Sequence, residues 1–258
     1  MIEILEIEGR KIACHVNRDG FNAVKKTLVF VHGSGGDHTA WVNQYGRLKD
    51  DFNIAALDLP GHGRSEGPGE REVGRYVEWV EKIIWKLGAP RPVLIGHSIG
   101  AAISLAFALK SGDRLAGIVP VGGGATMPVN PAILDGVKAD PAAVIAMVSK
   151  IAVAKANRER LTGPLAKSLS RADPETLYGD FLACSRFDVT ETVSRIRVPA
   201  LIVCGDEDKM TPAPMSQYLI DHIPGAQLEM ISGAGHFPMM ENAEAFNGAL
   251  RRFAESLP

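Results

Sequence analysis

The sequence predicts an α/β protein built on a mostly parallel, doubly wound sheet. Three observations carry that prediction. Short apolar runs bounded by glycine or proline alternate with longer helix-forming stretches, as when crossover helices cover both faces of a sheet. The 258 residues suffice for one globular domain with an insertion. Several apolar runs end directly in glycine-rich turns that carry Ser, His or Asp, so the chemistry-bearing side chains gather at strand ends.

An opening hairpin is expected over 2–16, where Met1-Ile2-Glu3-Ile4-Leu5-Glu6 alternates as a strand does. Leu28-Val29-Phe30-Val31 is the next strand, followed by a helix after Thr39, a strand over 53–57 and a long helix over 72–87 with Trp79 and Trp85. Pro92-Val93-Leu94-Ile95 is a buried strand, and the Ala- and Leu-rich 101–110 a helix. A further strand over 115–121 ends in Gly122-Gly123-Gly124. The pattern then breaks. Segment 125–189 has no convincing strand, only helical stretches such as 142–160 and 174–183, and the parallel-sheet pattern resumes at Val198-Pro199-Ala200. The expected organisation is therefore a core of 1–124 and 190–258 interrupted, after the sixth strand, by a helical cap over 125–189.

Net charge is −2 with scattered basic residues, so a nucleic-acid partner is not expected. No apolar run reaches membrane-spanning length, and the acidic N-terminus lacks the basic start and apolar core of a signal peptide. Cys14, Cys184 and Cys204 are odd in number and widely spaced, which fits buried free thiols in a reducing cytoplasm. No histidine pair has zinc-binding spacing and no intact G-x-G-x-x-G or Walker loop occurs, so neither metal nor cofactor is expected. Oligomeric state is not legible.

The chemistry centres on Gly96-His97-Ser98-Ile99-Gly100, a G-x-S-x-G caught between strand and helix. That context makes it a nucleophile elbow, in which the flanking glycines allow a sharp turn that lifts the Ser98 hydroxyl above the sheet. Such a hydroxyl needs a base, an acid to orient the base, and donors for an oxyanion. His32-Gly33-Ser34-Gly35-Gly36 follows a strand and offers the backbone N–H of Ser34; the second donor is expected from Ile99, at the positive end of the following helix. His236, in Gly233-Ala234-Gly235-His236-Phe237-Pro238 after the strand 227–231, is the candidate base. His32, His62 and His97 sit in glycine turns and are expected to orient backbone; His15 and His222 are ordinary strand or surface residues. His38 lies near the oxyanion loop with no acid evident to pair it. The acid belongs to Gly205-Asp206-Glu207-Asp208-Lys209-Met210-Thr211-Pro212, where three carboxylates in four residues leave its identity open. The order serine, acid, histidine suits this strand-turn-helix arrangement.

Taken together, the His32-Gly33 loop, Asp58-Leu59-Pro60-Gly61-His62-Gly63-Arg64-Ser65, the elbow, the G-x-x-D-x-x-x-P run from Gly205 to Pro212 and Gly235-His236 resemble the α/β-hydrolase superfamily over nearly the whole chain. The resemblance implies an α/β-hydrolase fold, Asp208 as the acid, the turn from Asp58 to Ser65 as scaffold, and the insertion as a lid that sets substrate choice. Met127, Met147, Phe181 and Met210 are candidates for an apolar substrate lining. The implied reaction is hydrolysis of a small-molecule carboxylic ester through an acyl-enzyme. Alternatives with the same triad are a carbon–carbon bond hydrolase of the meta-cleavage kind, an iminopeptidase-like amidase using acids such as Asp173, Glu175 or Asp180, and a cofactor-free perhydrolase. A ligand-sensing signalling protein on a hydrolase scaffold is the alternative from another class.

Overall fold

Five short strands bury every side chain, and they set the architecture: β3 (Thr27–Val31), β4 (Asn53–Leu57), β5 (Val93–His97), β6 (Gly117–Val121) and β7 (Leu201–Gly205). Continuous apolar runs of this kind belong in a parallel sheet covered on both faces. In the computed structural model, which describes residues 1–89 and 91–258, they form the middle of one eight-stranded sheet. The others are β1 (Ile2–Ile7), β2 (Arg10–Val16) and β8 (Gln227–Ile231), and the order is β1-β2-β4-β3-β5-β6-β7-β8. Only β1 against β2 and β2 against β4 run antiparallel; from β4 to β8 all pairs are parallel.

Alternation along the strands divides the core into two layers. Val29, Val31 and Leu94 face one side and pack with α2 (Val73–Lys86), α3 (Ile99–Ser111) and α8 (Ala213–His222). Leu28, Phe30 and Ile95 face the other, against α1 (Val42–Leu48) and α10 (Ala243–Ser256). The elbow helix α3 is buried along most of its length, which explains its apolar sequence; the amphipathic α2 buries Trp79 and leaves Trp85 exposed.

Between β6 and β7 the chain builds a separate helical layer: α4 (Pro131–Ala139), α5 (Pro141–Ile151), α6 (Arg158–Leu169) and α7 (Pro174–Arg186). Val137, Val144, Val148, Leu165 and Leu177 give it an apolar cluster of its own. The Val189 amide donates to the Ala125 carbonyl at 2.9 Å, and Thr126 bridges Asp188, so the two ends of the insertion leave the core side by side. The single helix expected over 142–160 is two. It breaks at Ala152–Ala154 because those backbone groups are used elsewhere: the Ala152 carbonyl accepts from His236 N and the Ala154 amide donates to Glu241. Among the described residues, no helix is long and apolar enough to cross a membrane.

Candidate active site

Ser98 sits between β5 and α3 at φ +54°, a left-handed conformation that few non-glycine residues adopt. Backbone hydrogen bonds hold the strained turn. The Ser98 amide donates to Val121 O at 2.9 Å, and its carbonyl accepts from Ala101 N at 2.8 Å. The flanking glycines are required sterically: a Cβ at Gly96 would run into the Gly100 carbonyl, and one at Gly100 would lie 2.5 Å from Val31 O.

The turn after β7 and the loop after β8 bring the next two residues together. His236 Nδ1–H donates to Asp208 Oδ2 at 2.9 Å, with both side chains buried. Asp208 Oδ1 accepts from the amides of Met210 (2.8 Å) and Thr211 (3.0 Å), and Oδ2 also accepts from the Thr211 hydroxyl at 2.7 Å. Burial alone would raise the Asp208 carboxyl, but the facing His236 and these hydrogen bonds more than offset it and hold it at about 2. The resulting carboxylate is ionised and held by four hydrogen bonds. Its neighbours differ: Asp206 binds Ser232 and Ala234 N, and Glu207 is exposed and directed at Lys155 N, so neither meets His236.

Because Nδ1 carries the proton, His236 Nε2 is an acceptor; it is buried and has no partner among the described residues. Ser98 and His236 line the same two apolar cavities, each of about 50 Å³. One extends beneath the helical layer past Val148, Leu165, Leu169 and Phe181; the other runs past Met127, Val129, Cys184 and Met215. Phe181 and Met210 border both. Ser34 also borders both, and no acceptor engages the amides of Ser34 and Ile99 among the described residues.

Of the four residues expected to line the substrate space, Met127, Phe181 and Met210 border these cavities. Met147 does not. It is 44% exposed, because α5 turns Val144, Ile145 and Val148 toward the cavity and carries Met147 off that face. A second correction concerns His38, which does have an acid: its Nδ1 lies 2.8 Å from Asp58 Oδ1. That hydrogen bond raises its pKa against the opposing effect of burial. Asp58 also accepts from the amides of His38 and Arg64, so the pair belongs to the turn after β4.

The three histidines in glycine turns orient backbone. His97 Nε2–H donates to the carbonyl of His236 at 2.8 Å, and burial, with the neighbouring His236, keeps its pKa well below the usual imidazole range. His32 bonds Gly33 O and accepts from Leu59 N. His62 meets Pro60 O and Asp180. The sequence reading did not anticipate the supporting contacts of Thr211, Asp180 and Glu241. Glu241 is buried at the end of α9 (Pro238–Glu241) and accepts from Gly235 N, Phe237 N, Ala154 N and Asn157 Nδ2, which fixes the loop on both sides of His236.

The chain that carries this arrangement also matches known proteins over nearly its whole length. Residues 28–249 fit the model of the alpha/beta hydrolase family. The chain belongs to that family. It is 31% identical to a solved thermophilic esterase, with TM-score 0.85 over 99% of this chain and 98% of that one. A 2-hydroxy-6-oxononadienedioate/2-hydroxy-6-oxononatrienedioate hydrolase of Paraburkholderia phymatum is 28% identical over 98% of this chain and 94% of its own. A pimeloyl-[acyl-carrier protein] methyl ester esterase of Neisseria meningitidis is 25% identical, covering 92% and 96% respectively. The protein is thus an alpha/beta hydrolase, an enzyme whose relatives open different bonds on one scaffold.

Proposed function

We propose that this hydrolase cleaves small, neutral carboxylic esters through an acyl-enzyme on Ser98. The observation that carries the proposal is the buried His236–Asp208 pair with its unpartnered Nε2, set beside Ser98 in cavities without a cation. His236 Nε2 takes the Ser98 proton as Oγ attacks the ester carbonyl, and the amides of Ser34 and Ile99 receive the oxyanion. Asp208 holds the tautomer and stabilises the imidazolium. His236 then protonates the departing alcohol; water, deprotonated by the same nitrogen, releases the acid and frees Ser98. In this reading the helical layer over 125–189 is the lid, and the two cavities take the two halves of the ester.

The linings favour an ester over the carbon–carbon and amine-directed alternatives. A dioate, as named for the Paraburkholderia relative, carries two carboxylates that need cationic or dense hydrogen-bonding partners. Neither lining includes Lys or Arg, and Asp37 is the one charged carboxylate along the first. The acids considered for holding a substrate amino group are engaged elsewhere. Asp173 caps α7, Glu175 pairs with Arg71 at the surface, and Asp180 is buried among protein donors. The buried free thiols Cys14, Cys184 and Cys204 suit a reducing cytoplasm.

The test is a p-nitrophenyl ester series from acetate to decanoate, read with fluorophosphonate labelling. Turnover should favour short acyl chains, with the label on Ser98, and Ser98→Ala should lower kcat by a factor on the order of 10⁴–10⁶ without unfolding. Labelling at another residue, or an active Ser98→Ala, would refute the proposal. Slow turnover of every ester with intact labelling would instead favour the sensor alternative.

A further inference from the structure

Gly35, one residue past the proposed oxyanion donor Ser34, is held by the helical layer. Its amide donates to Asp180 Oδ2 at 2.9 Å. Asp180 lies on α7 and is fully buried, which for a carboxylate demands donors on both oxygens. It has them. His62 Nε2–H donates to Oδ2 at 2.8 Å and the Tyr76 hydroxyl to Oδ1 at 2.6 Å. His62 has Pro60 O 3.0 Å from its other nitrogen, so both ring nitrogens face acceptors, the arrangement that an imidazolium satisfies. Burial opposes that charge, but the Asp180 carboxylate outweighs it and raises the His62 pKa. Four elements thus meet at one carboxylate: the oxyanion loop, the turn after β4, α2 and α7.

The same face of α7 packs against the loop. Leu177, Asp180, Phe181 and Cys184 recur at the i, i+3, i+4, i+7 spacing of a helical stripe. Gly35 stands at φ +63°, where an added Cβ would lie 2.9 Å from Leu177 Cδ1; Cys184 Sγ is 4.0 Å from Ser34 Oγ; Phe181 lines both cavities. Burial pushes the Cys184 thiol up to about 12, so it stays a neutral packing group. Rotation of the Ser34–Gly35 peptide is therefore limited sterically by Leu177 and through a charge-assisted hydrogen bond by Asp180.

We propose that Asp180 is a positioning residue that fixes the oxyanion loop through the Gly35 amide, so that the oxyanion site is complete only when α7 is seated on the core. This rests on the reading of Ser34 as an oxyanion donor. A carboxamide at 180 keeps the shape but presents donor hydrogens where Gly35 and His62, or Tyr76, already present theirs.

Asp180→Asn and Tyr76→Phe are compared with wild type for kcat, KM and inhibition by an aliphatic trifluoromethyl ketone, whose serine adduct carries an oxyanion. Asp180→Asn should lower kcat on the order of 10- to 100-fold with KM nearly unchanged, and should weaken the ketone in parallel. Tyr76→Phe, which removes one donor from Oδ1 and keeps the ring, should shift both quantities in the same direction by a smaller factor. A folded Asp180→Asn with wild-type kcat and ketone affinity, merely less stable, would overturn the proposal. Should that variant not fold, unchanged kcat and ketone affinity in Tyr76→Phe would overturn it equally. Failure of the parent reading shows separately, as wild-type protein whose Ser98 takes no fluorophosphonate.

Discussion

Asp208→Asn tests the proposed acid, and the structure dictates how the variant should fail. The carboxylate accepts four hydrogen bonds, two on each oxygen. An amide keeps one acceptor oxygen. Placed at Oδ1, that oxygen retains the Met210 and Thr211 amides, and the NH₂ turns toward His236 Nδ1 and the Thr211 hydroxyl. The imidazole must then accept at Nδ1 and carry its proton on Nε2, which leaves no base for Ser98. Flipping the amide would restore the tautomer only by setting NH₂ against two backbone N–H groups. Each orphaned buried donor costs about 1–3 kcal/mol, so the wrong tautomer should dominate. The expected loss in kcat is roughly 10⁴-fold, equivalent to about 5 kcal/mol of transition-state stabilisation. Steady-state hydrolysis of p-nitrophenyl acetate measures it, with the thermal melt of the variant as a control for folding. A folded Asp208→Asn within tenfold of wild type would refute the reasoning, and an equally large loss in Asp206→Asn would move the acid to the neighbouring position.

Three further outcomes are expected. The Asp208 pKa is depressed from 3.8 to about 2, so its contribution is present above pH 4 and is lost as pH falls through 2; urea unfolding should show wild type losing about 2 kcal/mol more than Asp208→Asn between pH 5 and pH 2, and parallel curves would contradict this. Phe181→Ala removes the ring bordering both cavities, so the preferred acyl chain should lengthen by a few carbons in the p-nitrophenyl series; an unchanged optimum would show that Phe181 does not limit the pocket. Glu241→Gln puts NH₂ against donors that the carboxylate now accepts, and calorimetry should show Tm lowered by several degrees, with kcat reduced about tenfold as the His236 loop loosens.

The sheet was legible because its signal is local. Strands β3 to β7 are unbroken apolar runs, and each turn that follows carries its own glycine punctuation. The elbow was legible for the same reason, since strand, G-x-S-x-G and helix are contiguous. The helical layer was less so. The starts of α4, α5 and α7 do carry a local signal, Asn130-Pro131, Asp140-Pro141 and Asp173-Pro174, in which the side chain caps the helix and proline takes its first turn. That repeat would have found α4 and separated it from α5. The break at 152–154 has no such mark, because its cause lies in the distant residues His236 and Glu241. His38 with Asp58 and Asp180 with Gly35 are likewise pairings across 20 and 145 residues, made by topology and invisible to spacing.

Those long-range pairings bear on what the helical layer does. A lid that only roofs the pocket could be exchanged for a loop at the cost of selectivity alone. Here the layer also reaches both halves of the proposed catalytic arrangement. The Ala152 carbonyl accepts from the His236 amide at 2.6 Å, Ala154 N and Asn157 share Glu241 with the His236 loop, and Asp180 holds Gly35. Replacing 125–189 with a short linker would free the base loop and the oxyanion loop together, besides exposing apolar surface that the layer covers. Fluorophosphonate labelling of such a protein should therefore slow along with ester turnover. Labelling at the wild-type rate, in a variant that still folds, would mean that the core holds His236 and Ser34 in place unaided and that the layer contributes selectivity only.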